Sequence, residues 1–475
     1  MNRHPRALPF LFLTEMWERF GFYVVNGMLV LYMSKEFGYT DDASYTIMGA
    51  FLALAYIAPF LGGSLADQLL GFKTATVWGG LFLSSGYALL AFWQNGFFLA
   101  LATIIIGNGL LKPSISSFLG SLYEHGDPHR ESGFTLFYIG INTGIVLAGL
   151  SSGYIKDHFG WQAGFALASV GLIIGLFTFG LGLKRIDVKT ITTHALPPVN
   201  RKLKCVIILS CILAAAIVSE LLQNSLLAKW LLPSAGIILL IFLLTLTLKQ
   251  DAENRRQLFT LHALILSSIV FWMMYWQMFF SVNLFIDRLI DKELWGIHIP
   301  ITVFYTLEAI FVILLGPSFA WSWQTLNRSS RNPSSFSKFV LAIVFVGLGF
   351  LTLGISTYFA NANHLIHPAW VLVAYFFIAV GEMLLSPIGL SAVTSLAPRK
   401  LVGMMMGIWF VALGFGGAFA GWLAKLSNIP ENITQALQQL AIYQNAFLDY
   451  AYIAFAVAFL LFLLQLFLKK VIRVC

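Results

Sequence analysis

The sequence predicts an all-α integral membrane protein, and its composition, its hydropathy and the spacing of its apolar runs each indicate this class. Of its 475 residues, 59% are hydrophobic and only 11% are charged, and the mean hydropathy is +0.82. A soluble domain usually carries about 25% charged residues, so this chain cannot cover a water-facing surface. Apolar runs close to the roughly 20 residues that cross a bilayer recur along the whole chain.

Hydropathy predicts fourteen transmembrane helices separated by short polar loops. The predicted spans cover residues 8–33, 44–66, 74–93, 97–121, 133–155, 162–183, 203–222, 230–248, 258–286, 299–326, 338–359, 368–396, 402–424 and 446–468. Because the number of spans is even, both termini are expected on the same side of the membrane.

The distribution of Lys and Arg predicts which side that is. Loops on the side of the termini carry 21 of these residues, whereas loops on the opposite side carry 6. Such an excess marks the cytoplasmic face, so we expect a multi-pass protein of the cytoplasmic (inner) membrane with both termini inside. The basic residues of these loops account for the net charge of +8, so the excess of basic over acidic residues does not require a nucleic-acid partner.

A polar segment divides the spans into groups of six, two and six. Residues 184–204 read KRIDVKTITTHALPPVNRKLK, which is typical of a cytoplasmic linker. Two helices rich in Leu, Ile and Ala follow it, and without them six spans remain on either side. This layout predicts a major facilitator fold of two six-helix bundles plus two extra helices between them. The expected domains are 1–185, 186–256 and 257–475.

Ionisable residues inside the predicted spans give the strongest functional signal. A charge at the centre of a membrane helix costs about 2.5–3.5 kcal/mol on insertion scales, so such residues normally face a cavity and mark a pathway. Four acids and two bases would give a cavity a net charge of −2, which a low dielectric opposes. At least one carboxyl group is therefore expected to hold a proton near neutral pH. The six residues are Glu15, Glu18, Arg19, Lys112, Glu308 and Glu382.

Three of these residues lie within one short stretch, EMWERFGFY at 15–23. Glu15, Glu18 and Arg19 are spaced i, i+3 and i+4, which places them on one face of a helix. The guanidinium can neutralise one carboxylate, and the other then needs a proton or a second cation. This pattern favours a site that handles protons, although a helix-packing salt bridge without a transport role is the alternative.

Several motifs resemble those of the proton-dependent oligopeptide transporter family. EMWERFGFY resembles that family's ExxERFxYY motif, and GNGLLKPSIS at 107–116 resembles its GxGxxKP motif. FTLFYIGINTG at 134–144 and GEMLLSPIGLS at 381–391 are similar to its fifth-helix and tenth-helix signatures. The pairs FW at 271–272 and WF at 409–410 fit its seventh and eleventh helices. The motifs occur in the family's order from about residue 14 to 410.

The resemblance implies import of di- and tripeptides by alternating access, driven by the proton gradient and without a cofactor. It implies that Glu382 binds the substrate's amino group and that Trp272 and Trp409 form apolar walls for side chains. The residues expected to couple protons are Glu15, Glu18, Arg19, Lys112 and Glu308. The residues expected to bind substrate are Tyr23, Asn26, Tyr56, Lys112, Asn142, Trp272, Trp276, Glu308, Glu382 and Trp409.

Three positions depart from the family's pattern. Asn26 stands where many members have an Arg that helps to hold the peptide carboxylate. Trp276 stands where many have a Glu that pairs with the lysine matched by Lys112, and Glu308 stands where Asn is frequent. We expect Glu308 either to replace the missing Glu as partner of Lys112 or to meet a cation of the substrate. Substrates with a free amine and little need for a carboxylate should then be favoured.

Two other classes of protein compete with this interpretation. The first is a transporter of the same fold for another amine-bearing or peptide-like solute, such as a modified amino acid or a peptide-like antibiotic, possibly working as an exporter. The second is a membrane enzyme, which would need a catalytic cluster at an interface, usually with His or paired Asp and a sizeable loop. None of the nine histidines pairs with a suggestive acid in such a loop. No Cys or His spacing suggests a metal site. The expected partners are a small peptide, protons and the lipid bilayer, and the protein is expected to function as a monomer.

Overall fold

The architecture is given by a computed structural model that describes residues 4–123, 129–184, 201–328, 333–398 and 400–472. These residues are almost entirely helical, apart from one short hairpin and the connecting loops. The greater part of the predicted linker, residues 185–200, lies outside the described residues.

The α-helices are numbered α1 to α14 in chain order, and two strands, β1 and β2, form the hairpin. The helices are Leu8–Lys35, Asp41–Leu65, Phe72–Phe92, Phe97–Ser121, Arg130–Leu183, Arg201–Gln223, Ser225–Leu248, Ala252–Tyr275, Ser281–Leu289, Ile301–Arg328, Ser335–Ser356, Ala369–Leu396, Val402–Ala424 and Ala436–Ile472. The antiparallel strands are Glu293–Leu294 and Ile297–His298.

Eleven helices within the described residues are long and apolar enough to cross a membrane, which confirms the all-α membrane class. Helix α1 is not among them, because its buried charges lower its hydropathy, and α7 contributes only the shorter apolar segment Pro233–Leu248. Helix α5 has 54 residues and would be about 81 Å long if straight, more than twice the thickness of a hydrocarbon core of about 30 Å. The fourteen-helix count and the two-bundle arrangement stay predictions.

The spans predicted at 133–155 and 162–183 are joined in the structure. Helix α5 runs through the expected loop, and only Gly160 departs from helical geometry, with φ +85° and ψ 173°. This conformation is rarely adopted by residues with a side chain, so a glycine at this position allows the kink. The kink at Gly160 thus divides α5 into two helical segments, and it lies between the two predicted spans.

The span predicted at 258–286 is interrupted. Helix α8 ends at Tyr275, a 3₁₀ turn covers Trp276–Phe279, and α9 begins at Ser281. Between them, Phe280 has φ −112° and ψ −106°, outside the helical region. Aromatic residues fill this break and no Pro or Gly marks it, so the sequence pattern gave no signal for it.

The helices form two compact units, of which the first contains Met1–Leu29 and Leu54–Leu227. Close backbone approaches hold its helices together. Gly107 of α4 faces the backbone of α3, where a Cβ at this position would meet the amide nitrogen of Leu83 and lie 2.7 Å from the oxygen of Gly79. Accessory helix α6 packs on the same unit through Ile207 and Cys211.

The second unit contains Val30–Ala53 and Ala228–Cys475, so the end of α1 and the first half of α2 belong to it. Ion pairs join these segments to the end of α9. Arg288 donates two hydrogen bonds of 2.7 Å to Asp41 and one of 3.0 Å to the hydroxyl of Tyr443. The predicted domain boundaries at 185 and 257 stay a prediction.

We expect Gly107→Ala to destabilise the protein, because the added methyl group would push α3 and α4 apart. Overpacking of this kind costs about 1–3 kcal/mol. Gly180→Ala is the matched control, since it lies in α5 of the same unit and an added Cβ meets nothing within 4 Å. Thermal unfolding in detergent should show a lower midpoint for the first variant and an unchanged or higher one for the second. Equal midpoints would contradict the close approach.

Candidate functional site

A buried cluster of charged residues lies on α1 in the first unit. Glu15, Glu18 and Arg19 have exposed fractions of 2%, 0% and 3%. Arg19 donates hydrogen bonds from Nε and Nη2 to the two carboxylate oxygens of Glu18. A bidentate guanidinium–carboxylate pair is among the strongest polar contacts available in a low dielectric. The guanidinium of Arg19 is therefore paired mainly with Glu18, the preceding residue, rather than with Glu15, which lies one turn earlier.

Glu15 is the carboxyl group that this pairing leaves incompletely satisfied. Its Oε1 atom lies 3.8 Å from Nε of Arg19, beyond hydrogen-bonding distance. Its Oε2 atom is buried and has no hydrogen-bond partner among the described residues. Of the two carboxyl groups in the motif, Glu15 is thus the one in need of a proton or of another donor.

Asn108 completes the cluster, and the sequence interpretation did not assign it a role. Its Oδ1 atom accepts a hydrogen bond of 3.2 Å from Nη2 of Arg19, and its Nδ2 atom donates one of 2.6 Å to the carbonyl of Ala55. One side chain of α4 thereby connects α1 to α2. Its position four residues before Lys112, and hence on the same helix face, is a signal that could have identified it.

Lys112 lies on α4 with its ammonium group 4.3 Å from the centroid of the Tyr56 ring. This is a cation–π contact, and the side chain is only partly buried. Within the described part of the chain, Lys112 forms no ion pair. Tyr23 and Tyr56 are buried beside Phe22, and Phe22 also carries the Arg19 guanidinium over its ring at 4.8 Å. The contact of Lys112 in this conformation is thus with an aromatic ring rather than with a carboxylate.

The two predicted asparagines have different environments. Asn26 is fully buried, and neither atom of its amide has a hydrogen-bond partner among the described residues. Asn142 is also buried, but its Nδ2 atom donates to the carbonyl of Tyr138 in its own helix, at 3.1 Å. Because an unsatisfied buried amide costs about 1–3 kcal/mol, Asn26 is the stronger candidate for contact with a ligand.

A second cluster, in the second unit, contains two carboxyl groups. Glu308 of α10 and Glu382 of α12 interact electrostatically with each other. The hydroxyl of Tyr275, at the end of α8, donates to Oε2 of Glu308 over 3.3 Å. Oε1 of Glu308 is buried and has no partner among the described residues. We call these three residues the carboxyl cluster, and Tyr275 is its member that sequence reasoning missed.

The three predicted tryptophans are packed side chains, and two of them contact Tyr275 of this cluster. Trp272 contacts Tyr275 with ring centroids 5.0 Å apart, and Trp276 contacts the same ring at 5.5 Å. Trp409 is buried on α13, where it lies against the backbone of Gly389. All three are nearly inaccessible to solvent in this conformation, so they form an apolar lining rather than an open surface.

The arrangement offers binding and proton-transfer chemistry rather than covalent chemistry. In the described ranges of the chain, no group of three or more His, Cys, Asp or Glu residues could hold a metal ion. The first unit provides an ion-paired carboxylate, a second carboxyl group and an ammonium group that lies over a tyrosine ring. The second unit provides two carboxyl groups with a phenol.

Comparison with known proteins shows which family this chain resembles. A sequence model described as the POT family matches residues 73–440. The dipeptide and tripeptide permease B of Salmonella typhimurium is 31% identical over 475 residues, which covers 99% of this chain and 97% of the permease.

Solved structures agree with that match. A structure from a study of substrate recognition in proton dependent oligopeptide transporters has a TM-score of 0.85 at 28% identity, covering 98% of this chain and 99% of the other. A peptide transporter named POT, a variant solved in complex with alafosfalin, has a TM-score of 0.81 at 32% identity, covering 97% and 96% of the two chains.

We expect Asn108→Ala to lower stability by about 1–3 kcal/mol, because it leaves a buried guanidinium nitrogen and the carbonyl of Ala55 without this partner. Thr103→Ala is a matched control on the same helix, since its hydroxyl bonds only the carbonyl of Leu99 one turn away. The midpoint of thermal unfolding in detergent measures the difference. A loss no greater than that of the control would mean that Asn108 does not hold the cluster together.

Proposed function

The chain belongs to the POT family, and we propose that it is a proton-coupled symporter that imports di- and tripeptides across the cytoplasmic membrane by alternating access. The family match extends over most of the chain, and a curated relative matched over nearly its full length is a dipeptide and tripeptide permease. The chain is accordingly a transporter and not an enzyme. The proton gradient would supply the energy, with no cofactor or metal.

The proposed architecture is the major facilitator fold with fourteen transmembrane helices. Helix α5 would count as two spans on account of its length, and α1 and α7 would join the eleven helices of membrane length. Two six-helix bundles would flank the accessory helices α6 and α7. Both termini would lie in the cytoplasm, as the distribution of basic residues predicts, and the monomer would be the working unit.

Proton coupling is proposed for the cluster on α1, and one observation carries this proposal: Glu15 is buried beside the Glu18–Arg19 pair with an oxygen that lacks a partner among the described residues. A proton on Glu15 would remove the charge from this buried carboxyl group. A proton on Glu18 would weaken its bond to Arg19 and free the guanidinium for Glu15. Proton arrival and departure would therefore change which carboxyl group pairs with Arg19. The same change of charge would act on the ammonium group of Lys112.

Substrate binding is proposed for the groups that match a peptide zwitterion. Lys112 in the first unit offers a cation for the carboxylate, with Tyr23, Asn26, Tyr56 and Asn142 as neutral neighbours. In the second unit, Glu382 offers an anion for the ammonium group, and Trp272, Trp276 and Trp409 line it with apolar surface. Aromatic and apolar walls make few specific hydrogen bonds, so they would accept many peptide side chains.

A second candidate is transport of another amine-bearing or peptide-like solute. The observation in its favour is the carboxyl cluster, where two acids meet and no Lys or Arg of the described second unit forms an ion pair with either. Such a site would bind an amine strongly. Asn26 brings no charge to a carboxylate, so solutes without one would be tolerated.

Uptake into proteoliposomes tests the proposed function. We expect labelled dialanine to accumulate when an inward proton gradient is imposed, and we expect Glu18→Gln to abolish this dependence, because the variant cannot exchange a proton at that position. Glu431→Gln is the matched control, since this acid is exposed in a loop of the second unit. Uptake by the control should equal that of the unmodified protein.

Either of two results would reject the proposal. The first is dialanine uptake that does not exceed that of empty liposomes while an amine-bearing solute is taken up, which would favour the second candidate. The second is full gradient-driven uptake by Glu18→Gln, which would move the driving proton away from the cluster on α1.

Asn26 should determine how strongly a substrate carboxylate is required. We expect the unmodified protein to accept dialanine amide nearly as well as dialanine in competition assays. Asn26→Arg should raise the preference for dialanine by roughly tenfold or more, because a charged hydrogen bond contributes about 1.5–3 kcal/mol. Asn26→Gln, which keeps the amide and adds no charge, is the control. An unchanged preference in the arginine variant would mean that Asn26 does not contact the carboxylate.

A further inference from the structure

The guanidinium of Arg19 has one charged partner and two neutral ones. Glu18 accepts hydrogen bonds from Nε and Nη2, and Oδ1 of Asn108 accepts a further bond of 3.2 Å from Nη2. Both protons of Nη2 are therefore engaged, one on a carboxylate and one on an amide. The ring of Phe22 lies 4.8 Å from the guanidinium carbon. Because Asn108 adds no charge, it acts on this cluster through the position that it gives to Arg19.

Asn108 is itself fixed in place. Its side chain is 1% exposed, and its Nδ2 atom donates a hydrogen bond of 2.6 Å to the carbonyl of Ala55 on α2. The side-chain amide is planar, so a bond that fixes Nδ2 also fixes the direction of Oδ1. Oδ1 is therefore a stationary acceptor that cannot follow the guanidinium when it moves.

This stationary acceptor favours Glu18 over Glu15 as the partner of Arg19. Oε1 of Glu15 lies 3.8 Å from Nε, beyond hydrogen-bonding distance. To bond Glu15 with two N–H groups, as it now bonds Glu18, the guanidinium must turn the edge formed by Nε and Nη2. That turn takes Nη2 away from Oδ1 of Asn108. Arg19 thus loses two partners when it changes carboxyl group.

Few other charged groups surround the cluster. Helix α4 contributes Lys112 as its only charged residue, and Lys112 lies over the ring of Tyr56. The charged residues of α2 are confined to its first turn, about 20 Å along the helix from Ala55.

Helices α3 and α5 bring no charge to the cluster. The ring of Tyr87 on α3 packs at Gly21, where an added Cβ would lie 2.7 Å from Cε2, and its buried hydroxyl has no partner among the described residues. Helix α5 approaches Arg19 at Gly144, and the charged residue of α5 nearest in sequence, Lys156, lies about 18 Å away along the helix. The position of Arg19 therefore depends on the two acids of α1, on Lys112 and on Asn108.

We propose that Asn108 is a positioning residue that sets the pH at which Arg19 exchanges Glu18 for Glu15. This deepens the proposed function and rests on it for the part that this exchange plays in proton coupling. A proton that adds to a carboxylate oxygen of Glu18 weakens its bond to Arg19. The guanidinium then turns to Glu15, and the bond to Asn108 breaks as well. Loss of that proton to water reverses the exchange.

The sign of the effect follows from the form that Asn108 stabilises. Its bond to Nη2 exists only while Arg19 pairs with the charged Glu18, so Asn108 opposes protonation of Glu18. Without Asn108, Glu18 takes up a proton at a higher pH. A hydrogen bond to a charged group changes an equilibrium by roughly tenfold or more, which corresponds to about one pH unit or more for uptake of one proton.

Infrared spectroscopy of the full-length protein in detergent tests this effect without a substrate. The carbonyl stretch of protonated Glu18 is identified by its absence when Glu18→Gln is introduced. In Asn108→Leu, where the new side chain has a similar volume and makes no hydrogen bond, this stretch should appear at a pH about one unit or more above that of the unmodified protein. Thr103→Ala on the same helix is the control and should cause no shift, since its hydroxyl bonds only the carbonyl of Leu99.

Two infrared results would overturn the proposal, whatever the protein transports. One is an equal midpoint in Asn108→Leu and in the unmodified protein. The other is the absence of the Glu18 stretch down to pH 4 in both, because Glu18 then takes up no proton. If Asn108→Leu does not fold, Asn108→Asp replaces it. The new carboxylate has the shape of the amide and competes with Glu18 for Arg19, so the midpoint should again rise.

Uptake of dialanine into proteoliposomes tests the same shift in transport. The external pH at half-maximal uptake should rise in Asn108→Leu and stay unchanged in Thr103→Ala. A purely structural role of Asn108 would lower uptake by the same factor at every pH and leave the midpoint unchanged, and this result would reject the proposal. An infrared shift in a protein that takes up no dialanine would support the role of Asn108 and reject the peptide assignment.

Discussion

The structure depends on one constraint: every ionisable group buried at membrane depth must find a partner or a proton. The Glu18–Arg19 pair meets this constraint within α1, and Asn108 extends it to α4 and, through the carbonyl of Ala55, to α2. Helices in a membrane gain little from hydrophobic contact with one another, so such polar bonds and close backbone contacts, like that of Gly107, carry much of the packing. The same residues that would handle protons thus also hold three helices together.

Much of this could be predicted because helical periodicity and membrane hydropathy are local properties. The face shared by Glu15, Glu18 and Arg19 follows from their spacing, and the membrane class follows from composition. The positions of Lys112 and Glu382 inside apolar spans follow from the same hydropathy profile. For these residues, a short window of sequence contains the information that decides where they lie.

The remaining features depend on tertiary packing, which a local window does not contain. The spacing predicted a common face for the two acids but did not show that Arg19 bonds Glu18 and leaves Glu15 incompletely satisfied. The electrostatic interaction between Glu308 and Glu382 involves two helices that are far apart in the chain. The break after Tyr275 occurs among aromatic residues with no turn signal, because packing rather than Pro or Gly ends the helix.

The two clusters divide the chemistry of a coupled transporter in a physically sensible way. A proton that drives transport must be held firmly yet transferable, and a carboxyl group beside an arginine that has two possible carboxylate partners meets both needs. A substrate amine is a larger cation, and a site that would recognise it should have no Lys or Arg paired with its acids. Among the described residues of its own unit, the carboxyl cluster has no such ion pair. The rings of Trp272 and Trp276 pack against the ring of Tyr275 in that cluster. Because apolar surroundings strengthen charge interactions, the departures at Trp276 and Glu308 would act in the same direction. One adds an apolar ring beside the site and the other adds a carboxyl group, and both would favour an amine.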